Sequence, residues 1–250
     1  MRWREATPPG RISAMSEPDF VTPPLAHWPL PQALPGAILC SSRFDPQRLD
    51  ADAFARHAID LPPSIARAVA KRRAEFLAGR LCARAGIRCL GGHDEVPGLS
   101  EDRSPSWPAG LCGSITHGAG WAAAVVARNE AWRGLGLDVE NLLETARAKR
   151  LLEEILTPGE RQRLDPQRLA LTVTLSFSLK ESLFKALYPL VGTRFYFEHA
   201  ELLDWDDQGH ARLRLLCDLS AEWHNGRELE GQFACFDGRL LSLVGIPARR

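Results

Sequence analysis

Net charge is missing: 31 lysines and arginines balance 31 aspartates and glutamates. A chain with no positive surplus lacks the long-range pull toward nucleic-acid backbone, so an anionic partner must be met by a local site. No run approaches the ~18 apolar residues of a membrane helix, and the arginines of the first ten residues are not followed by the apolar stretch of a signal peptide. A cytoplasmic protein that binds neither nucleic acid nor membrane is expected. Paired cysteines are also lacking. Cys40, Cys82, Cys89, Cys112, Cys217 and Cys235 form no C-x-x-C pair, which argues against a zinc ribbon or a redox dithiol, and they read as reduced, mostly buried small residues. Lysine is scarce, with four against 27 arginines. Each lysine therefore merits inspection, because a compact ammonium with a tunable pKa does work that a guanidinium cannot.

The remaining composition, 45% hydrophobic and 25% charged over 250 residues, excludes a disordered or collagen-like chain. Folding at this length removes roughly 70–75% of the unfolded surface, enough for one large core or two smaller lobes. Residues 1–35 carry eight prolines and little periodicity, and are expected to form an irregular or partly disordered leader. From Asp50 to Arg88 apolar residues recur at helical spacing, with a stop at Leu61-Pro62-Pro63-Ser64 and a second helix over about Ser64–Ala85. Residues 86–112 read as a long ordered loop. Strands follow at Leu111–Thr116, Trp121–Arg128 and Gly134–Glu140, the last two separated by a connection of hairpin length. Helix-rich sequence runs from Asn141 to Pro189, broken at Pro158-Gly159. Further strands are expected at Phe195–Ala200, His210–Leu216, Gly231–Cys235 and Leu240–Gly245. Helix followed by strands thus occurs twice, which suggests two α+β halves of similar make-up, 36–133 and 134–250, with no repeat in the residues themselves.

Three constellations carry chemistry. In the strand Gly134–Glu140, period two places Asp138 and Glu140 on one face with Gly136. Neighbouring carboxylates repel unless a cation sits between them, and oxygen ligands suit Mg2+ held jointly with a phosphate; two solvated acids at a strand end are the plainer alternative. In Ser176–Tyr188 a helix sets Glu181 and Lys185 at i and i+4, an arrangement equally compatible with a surface ion pair. Two of the four lysines, Lys180 and Lys185, nevertheless fall here. The third is Gly113-Ser114-Ile115-Thr116-His117-Gly118, where a histidine at a strand end is able to donate to a phosphate oxygen or to serve only as a structural hydrogen bonder. Upstream, Arg73, Arg80 and Arg84 are spaced seven and four apart, a cationic stripe along one helix face that ordinarily only solvates it. No Walker loop, G-x-S-x-G elbow or H-x-x-x-H pair is present.

Together and in this order these segments resemble one family. They are R-x-x-E-F-x-x-G-R-x-C-A-R over Arg72–Arg84 (with Arg72 or Arg73 as the leading arginine), R-x-P-x-W-P-x-G-x-x-G-S-I-T-H over Arg103–His117, G-L-D-V-E over Gly136–Glu140, and F-S-L-K-E-S-x-x-K over Phe177–Lys185. The chain resembles the 4′-phosphopantetheinyl transferases of the Sfp and enterobactin-synthetase type. The resemblance implies an α+β fold of two pseudo-symmetric lobes with the active site in the cleft between them. It further implies a monomer that moves 4′-phosphopantetheine from coenzyme A to a serine of an apo acyl carrier protein or peptidyl carrier domain. Asp138, Glu140 and Glu181 are implied ligands of Mg2+ or Mn2+. His117 is implied to touch the diphosphate, and Arg73, Arg80 and Arg103 the 3′-phosphate and adenylate end. Lys180 and Lys185 are implied at the reacting centre, with Glu181 as general base. Relatives commonly carry glycine where Asp102 stands, an acid placed to weaken or redirect the Arg103 contact. Two other readings are a coenzyme A sensor without turnover and a Mg2+-dependent hydrolase of diphosphate esters.

Overall fold

The computed structural model describes residues 19–249. Two antiparallel sheets are each backed by one long helix. In the N-terminal lobe β1 (Ala37–Arg43), β2 (Leu111–Gly118) and β3 (Trp121–Arg128) lie in the order β1-β3-β2, with the two-residue strand Leu25–Ala26 extending the β1 edge. Helix α1 (Ala70–Cys89) packs on this sheet. In the C-terminal lobe β4 (Trp132–Asn141) is followed by α2 (Thr145–Ile155), α3 (Pro158–Gln162) and the long α4 (Leu169–Val191). Then come β5 (Ala200–Trp205), β6 (His210–Leu215), β7 (Glu228–Phe236) and β8 (Arg239–Pro247), giving a sheet in the order β4-β8-β7-β6-β5.

The hydrophobic pattern explains the layering. β3 reads WAAAVVAR and is buried at every position from Trp121 to Ala127, as a strand flanked by partners and covered on both faces must be. Its odd residues Ala123 and Val125 share a core with Leu135, Leu137 and Val139 of β4 and with Leu241 and Leu243 of β8. Its even residues face α1 in a second core with Ala74, Leu77 and Leu81. The two sheets meet edge to edge where β2 runs beside β4. No backbone ladder joins them there; the Leu137 amide donates to Ser114 Oγ and the Val139 amide to Thr116 Oγ1, both at 3.0 Å.

Several expectations are corrected. Of the expected leader, residues 1–18 lie outside the described residues, whereas Phe20, Val21 and Leu30 are buried, so the chain from Asp19 is a packed strap. β1, central to its sheet, was not expected. The helix of 64–85 is split: Pro63–Ala66 forms one turn, and α1 starts at Ala70 and runs to Cys89. β3 and β4 form no hairpin, because both edges of β3 are taken by β1 and β2; the chain turns at 129–131 and begins the second sheet. The strand expected at 195–200 begins at Ala200 instead.

Candidate active site

β4 and α4 mesh in a way that the backbone geometry dictates. Two strand residues advance about 6.7 Å and four helix residues 6 Å, so positions two apart on β4 meet positions four apart on α4. A Cβ on Gly134 would lie 2.3 Å from the Ala186 carbonyl oxygen, and one on Gly136 only 1.7 Å from that of Ser182. Continuing the same row, Asp138 accepts a hydrogen bond from Ser178 Oγ at 2.9 Å. The glycines let the helix backbone lie directly on the strand, and this brings Asp138 and Glu140 of β4 beside Glu181 and Lys185 of α4. Lys185 Nζ donates to Asp138 Oδ1 at 2.6 Å and to the Leu137 carbonyl at 3.1 Å.

Burial raises the pKa of each of the two glutamates. Glu140 is pushed up to about 7, chiefly by loss of water and then by the Asp138 charge. Glu181 is also raised, again mainly by burial, with Lys185 opposing. A crowded, all-oxygen, partly desolvated set of carboxylates fits a hard divalent cation in its chemistry. In the arrangement seen here, Asp138 is neutralised by the Lys185 ammonium, and among the described residues no three acidic, histidine or cysteine side chains stand close enough to hold a metal ion.

Lys185 also lines a cavity of about 570 Å³ between the lobes. From α1 it is walled by Arg72, Glu75, Phe76 and Arg80, from β2 by His117, and from the 99–107 loop by Arg103 and Trp107. Phe184, Tyr188 and Arg194 close it on the C-terminal side. Arg80 is buried over the Phe76 ring, 4.5 Å from its centroid, and donates to the Gly98 carbonyl at 3.0 Å while its Nε has no partner. Burial, with Arg72 adding to it, lowers its pKa to about 10. Asp102 does not pair with Arg103. Its carboxylate accepts from Ser104 N at 3.0 Å and Ser104 Oγ at 2.7 Å, which holds it down to about 2. That turn carries Arg103 at φ 70°, in the left-handed region.

Two sequence assignments do not match their positions. The leading arginine on the cavity wall is Arg72; Arg73, a further 100° around α1, points off it, and Arg84 donates to the His57 carbonyl at 2.7 Å. Lys180 is 3% exposed and lies on the far side of α4, where Nζ donates to Glu160 Oε2 and to the Ile155 carbonyl, both at 2.7 Å. Glu160 also accepts from Ser176 Oγ and from the Leu202 and Thr157 amides. This lysine fastens α4 to α2, α3 and β5. Lys180→Met, which strands a buried carboxylate, is expected to cost about 3–5 kcal/mol in urea unfolding, with the ligand affinity of the folded protein unchanged; weakened binding at unaltered stability would return Lys180 to the site. The aromatic residues of the cleft were not singled out from sequence. Phe76 with Arg80, and Phe184 with Tyr188, are i, i+4 pairs, and that spacing was the available signal.

With this geometry in place, the comparisons with known proteins are specific. The 4′-phosphopantetheinyl transferase N-terminal domain matches residues 61–127, and the 4′-phosphopantetheinyl transferase superfamily domain residues 134–237. The 4′-phosphopantetheinyl transferase Svp of Streptomyces mobaraensis is 37% identical over 192 residues, covering 74% of this chain and 76% of the relative. Enterobactin synthase component D of Escherichia coli K12 is 39% identical over 140 residues, 55% of this chain; the chain spans 65% of that relative's length. A holo-(acyl-carrier-protein) synthase from Bacillus anthracis, solved in complex with CoA (3′,5′-ADP), aligns at 20% identity and a TM-score of 0.32, over 48% of this chain and 99% of that one. The chain belongs to the 4′-phosphopantetheinyl transferase family.

Proposed function

We propose that this protein transfers the 4′-phosphopantetheine group of coenzyme A to a serine of an apo acyl carrier protein or peptidyl carrier domain, releasing 3′,5′-ADP. The observation that carries this reading is the interlobe cavity, cationic and aromatic together, which ends at the Lys185–Asp138 pair. A nucleotide with three phosphates calls for such a lining: guanidinium groups for the phosphates and aromatic faces for the base. Within it Arg80, with a buried guanidinium nitrogen that lacks an acceptor, and Arg103 would meet the 3′-phosphate, and His117 and Arg72 the diphosphate. Asp138, Glu140 and Glu181 would hold Mg2+ or Mn2+, which when bound neutralises charge on the diphosphate.

In the transfer the serine oxygen forms a bond to the phosphorus bearing the pantetheine arm, and the bond from that phosphorus to the bridging oxygen breaks, leaving with 3′,5′-ADP. The serine proton passes to Glu181, directly or through one water. Lys185 is placed to meet the charge that builds on the diphosphate oxygens, and the cleft walls fix the line of attack. The reading extends to a monomer working in the cytoplasm; no helix among the described residues is long and apolar enough to cross a membrane.

The test is intact-mass measurement of a panel of purified apo carriers incubated with the protein, coenzyme A and Mg2+. A gain of one phosphopantetheine mass, lost with EDTA, is expected. Release of phosphopantetheine without carrier would make the protein a hydrolase, and coenzyme A binding without transfer to any carrier would make it a sensor. Arg80→Ala should raise the KM for coenzyme A roughly 10- to 100-fold, the loss of one charged hydrogen bond, with kcat little changed; loss of cooperative unfolding would instead mark Arg80 as structural.

A further inference from the structure

Glu75 is a buried carboxylate on the wall of a cavity lined by Arg72, Arg80, Arg103, Lys185 and Arg194. In a cleft read as a phosphate site an acid is out of place, and its neighbours give it a role. Arg72 NH1 stands 2.7 Å from His117 Nε2. A guanidinium only donates, so Nε2 presents its lone pair and the single ring proton sits on Nδ1. Nδ1 in turn faces Glu75 Oε2 at 3.5 Å. His117 in the free protein is thus a neutral imidazole whose tautomer is set by Arg72 on one side and Glu75 on the other. The charges facing it are Arg72 and Glu75 from α1 and Lys185 from α4. Burial and the two cations hold its pKa below the usual histidine value, and the Glu75 carboxylate works the other way.

A phosphate oxygen at His117 needs a donor and meets a lone pair. Moving the ring proton from Nδ1 to Nε2 does not help, because the bared Nδ1 lone pair would then face the Glu75 carboxylate. The remaining route is a proton gained from solvent. Resting on the functional reading above, we propose that coenzyme A binding is coupled to uptake of one proton at His117 Nε2, with Glu75 as the positioning residue that retains Nδ1–H and compensates the imidazolium. No bond of coenzyme A changes; one N–H bond forms at Nε2 with a proton from buffer, which returns to buffer on release. The sign follows from linkage: binding raises the His117 pKa, so between the free and bound values affinity falls as pH rises, by up to about tenfold per pH unit.

The near-isosteric Glu75→Gln separates this from a merely structural role, since its amide is able to donate to Nδ1 and so permits a neutral Nε2–H ring in the complex. Coenzyme A is titrated calorimetrically at pH 7.5 into wild type, Glu75→Gln and His117→Gln in buffers of different ionisation enthalpy. The ligand's own phosphate titrates too, so differences between variants are the readout. Wild type is expected to take up about one proton more than either variant. Nitrogen-15 spectra of the His117 ring should show Nδ1–H alone in free wild type and both nitrogens protonated in its complex. Equal uptake by wild type and Glu75→Gln, or a neutral ring in the wild-type complex, would overturn the proposal while leaving transfer intact. Failure of wild type to bind coenzyme A would overturn the functional reading, and this inference with it.

Discussion

Asp138→Asn is expected to lower phosphopantetheine transfer by at least the order of 10²–10³-fold lost when one preorganised electrostatic group is removed from an active site, while the protein still unfolds cooperatively. Asparagine is the informative replacement. Asp138 is buried and pairs with both Ser178 Oγ and Lys185 Nζ, so alanine would strip a buried hydroxyl and an ammonium of the carboxylate they share and confound chemistry with folding. The amide keeps the shape and one acceptor oxygen and removes the charge. Carrier-mass gain per minute at saturating coenzyme A, together with a thermal melt, measures both halves. Near-normal turnover would remove Asp138 from the proposed cation set and leave it as the counter-charge of Lys185.

Gly136→Ala carries the largest expected cost to the fold. The added carbon would sit 1.7 Å from the Ser182 carbonyl oxygen and 2.8 Å from the Ala186 amide nitrogen, and these are backbone atoms that no rotamer change can move. Overpacking that forces backbone shifts costs about 1–3 kcal/mol and occasionally more; here the loss should exceed that range, because α4 must lift off β4 as a unit. Lifting it also parts Asp138 from Ser178 and Lys185, so activity should disappear in whatever fraction folds. Urea midpoints against wild type give the answer. A variant of wild-type stability would mean that α4 does not rest on the strand backbone.

The α+β fold class was legible in the sequence; which residues of its elements face one another was not. Period two in Gly134–Glu140 separated Leu135, Leu137 and Val139, which share one core, from Gly134, Gly136 and Asp138, which meet α4, and period 3.6 in Ser176–Tyr188 put Leu179, Leu183 and Leu187 in the core of the C-terminal lobe. Neither period reveals which residue of one element meets which of the other, so the pairing of Asp138 with Lys185 emerged only from the fold. Lys180 was misread for the same reason: adjacency to Glu181 in sequence is a 100° rotation on a helix, and a lysine with the chemistry of an active site was placed in a buried pair with Glu160. The arginine register failed by one residue. Arg72 and Arg73 are equivalent in composition, and Glu75 and Phe76, which fix the wall of the cleft, were the better guide. β1 escaped because Ala37–Cys40 is too short an apolar run, so close to prolines, to stand out from a loop. Glu75 was visible within the R-x-x-E-F segment, but its significance lies in a contact with His117, 42 positions along the chain.

At the β2–β4 edge of the seam between the lobes, side chains stand in for a backbone ladder: Ser114 Oγ and Thr116 Oγ1 each cap one outward amide of β4, and Cys112 Sγ donates to the Trp132 carbonyl. A backbone ladder would break only when strands separate; these bonds require no more than a small parting of two edges. The Leu137 and Val139 amides are therefore a built-in clock for breathing of the cleft. Their exchange with solvent deuterium is expected to follow parting of the β2–β4 edge, whereas that of the β3 amides between β1 and β2 follows unfolding of the sheet itself, and the interval between the two rates measures how much more readily that edge opens than the core it covers melts.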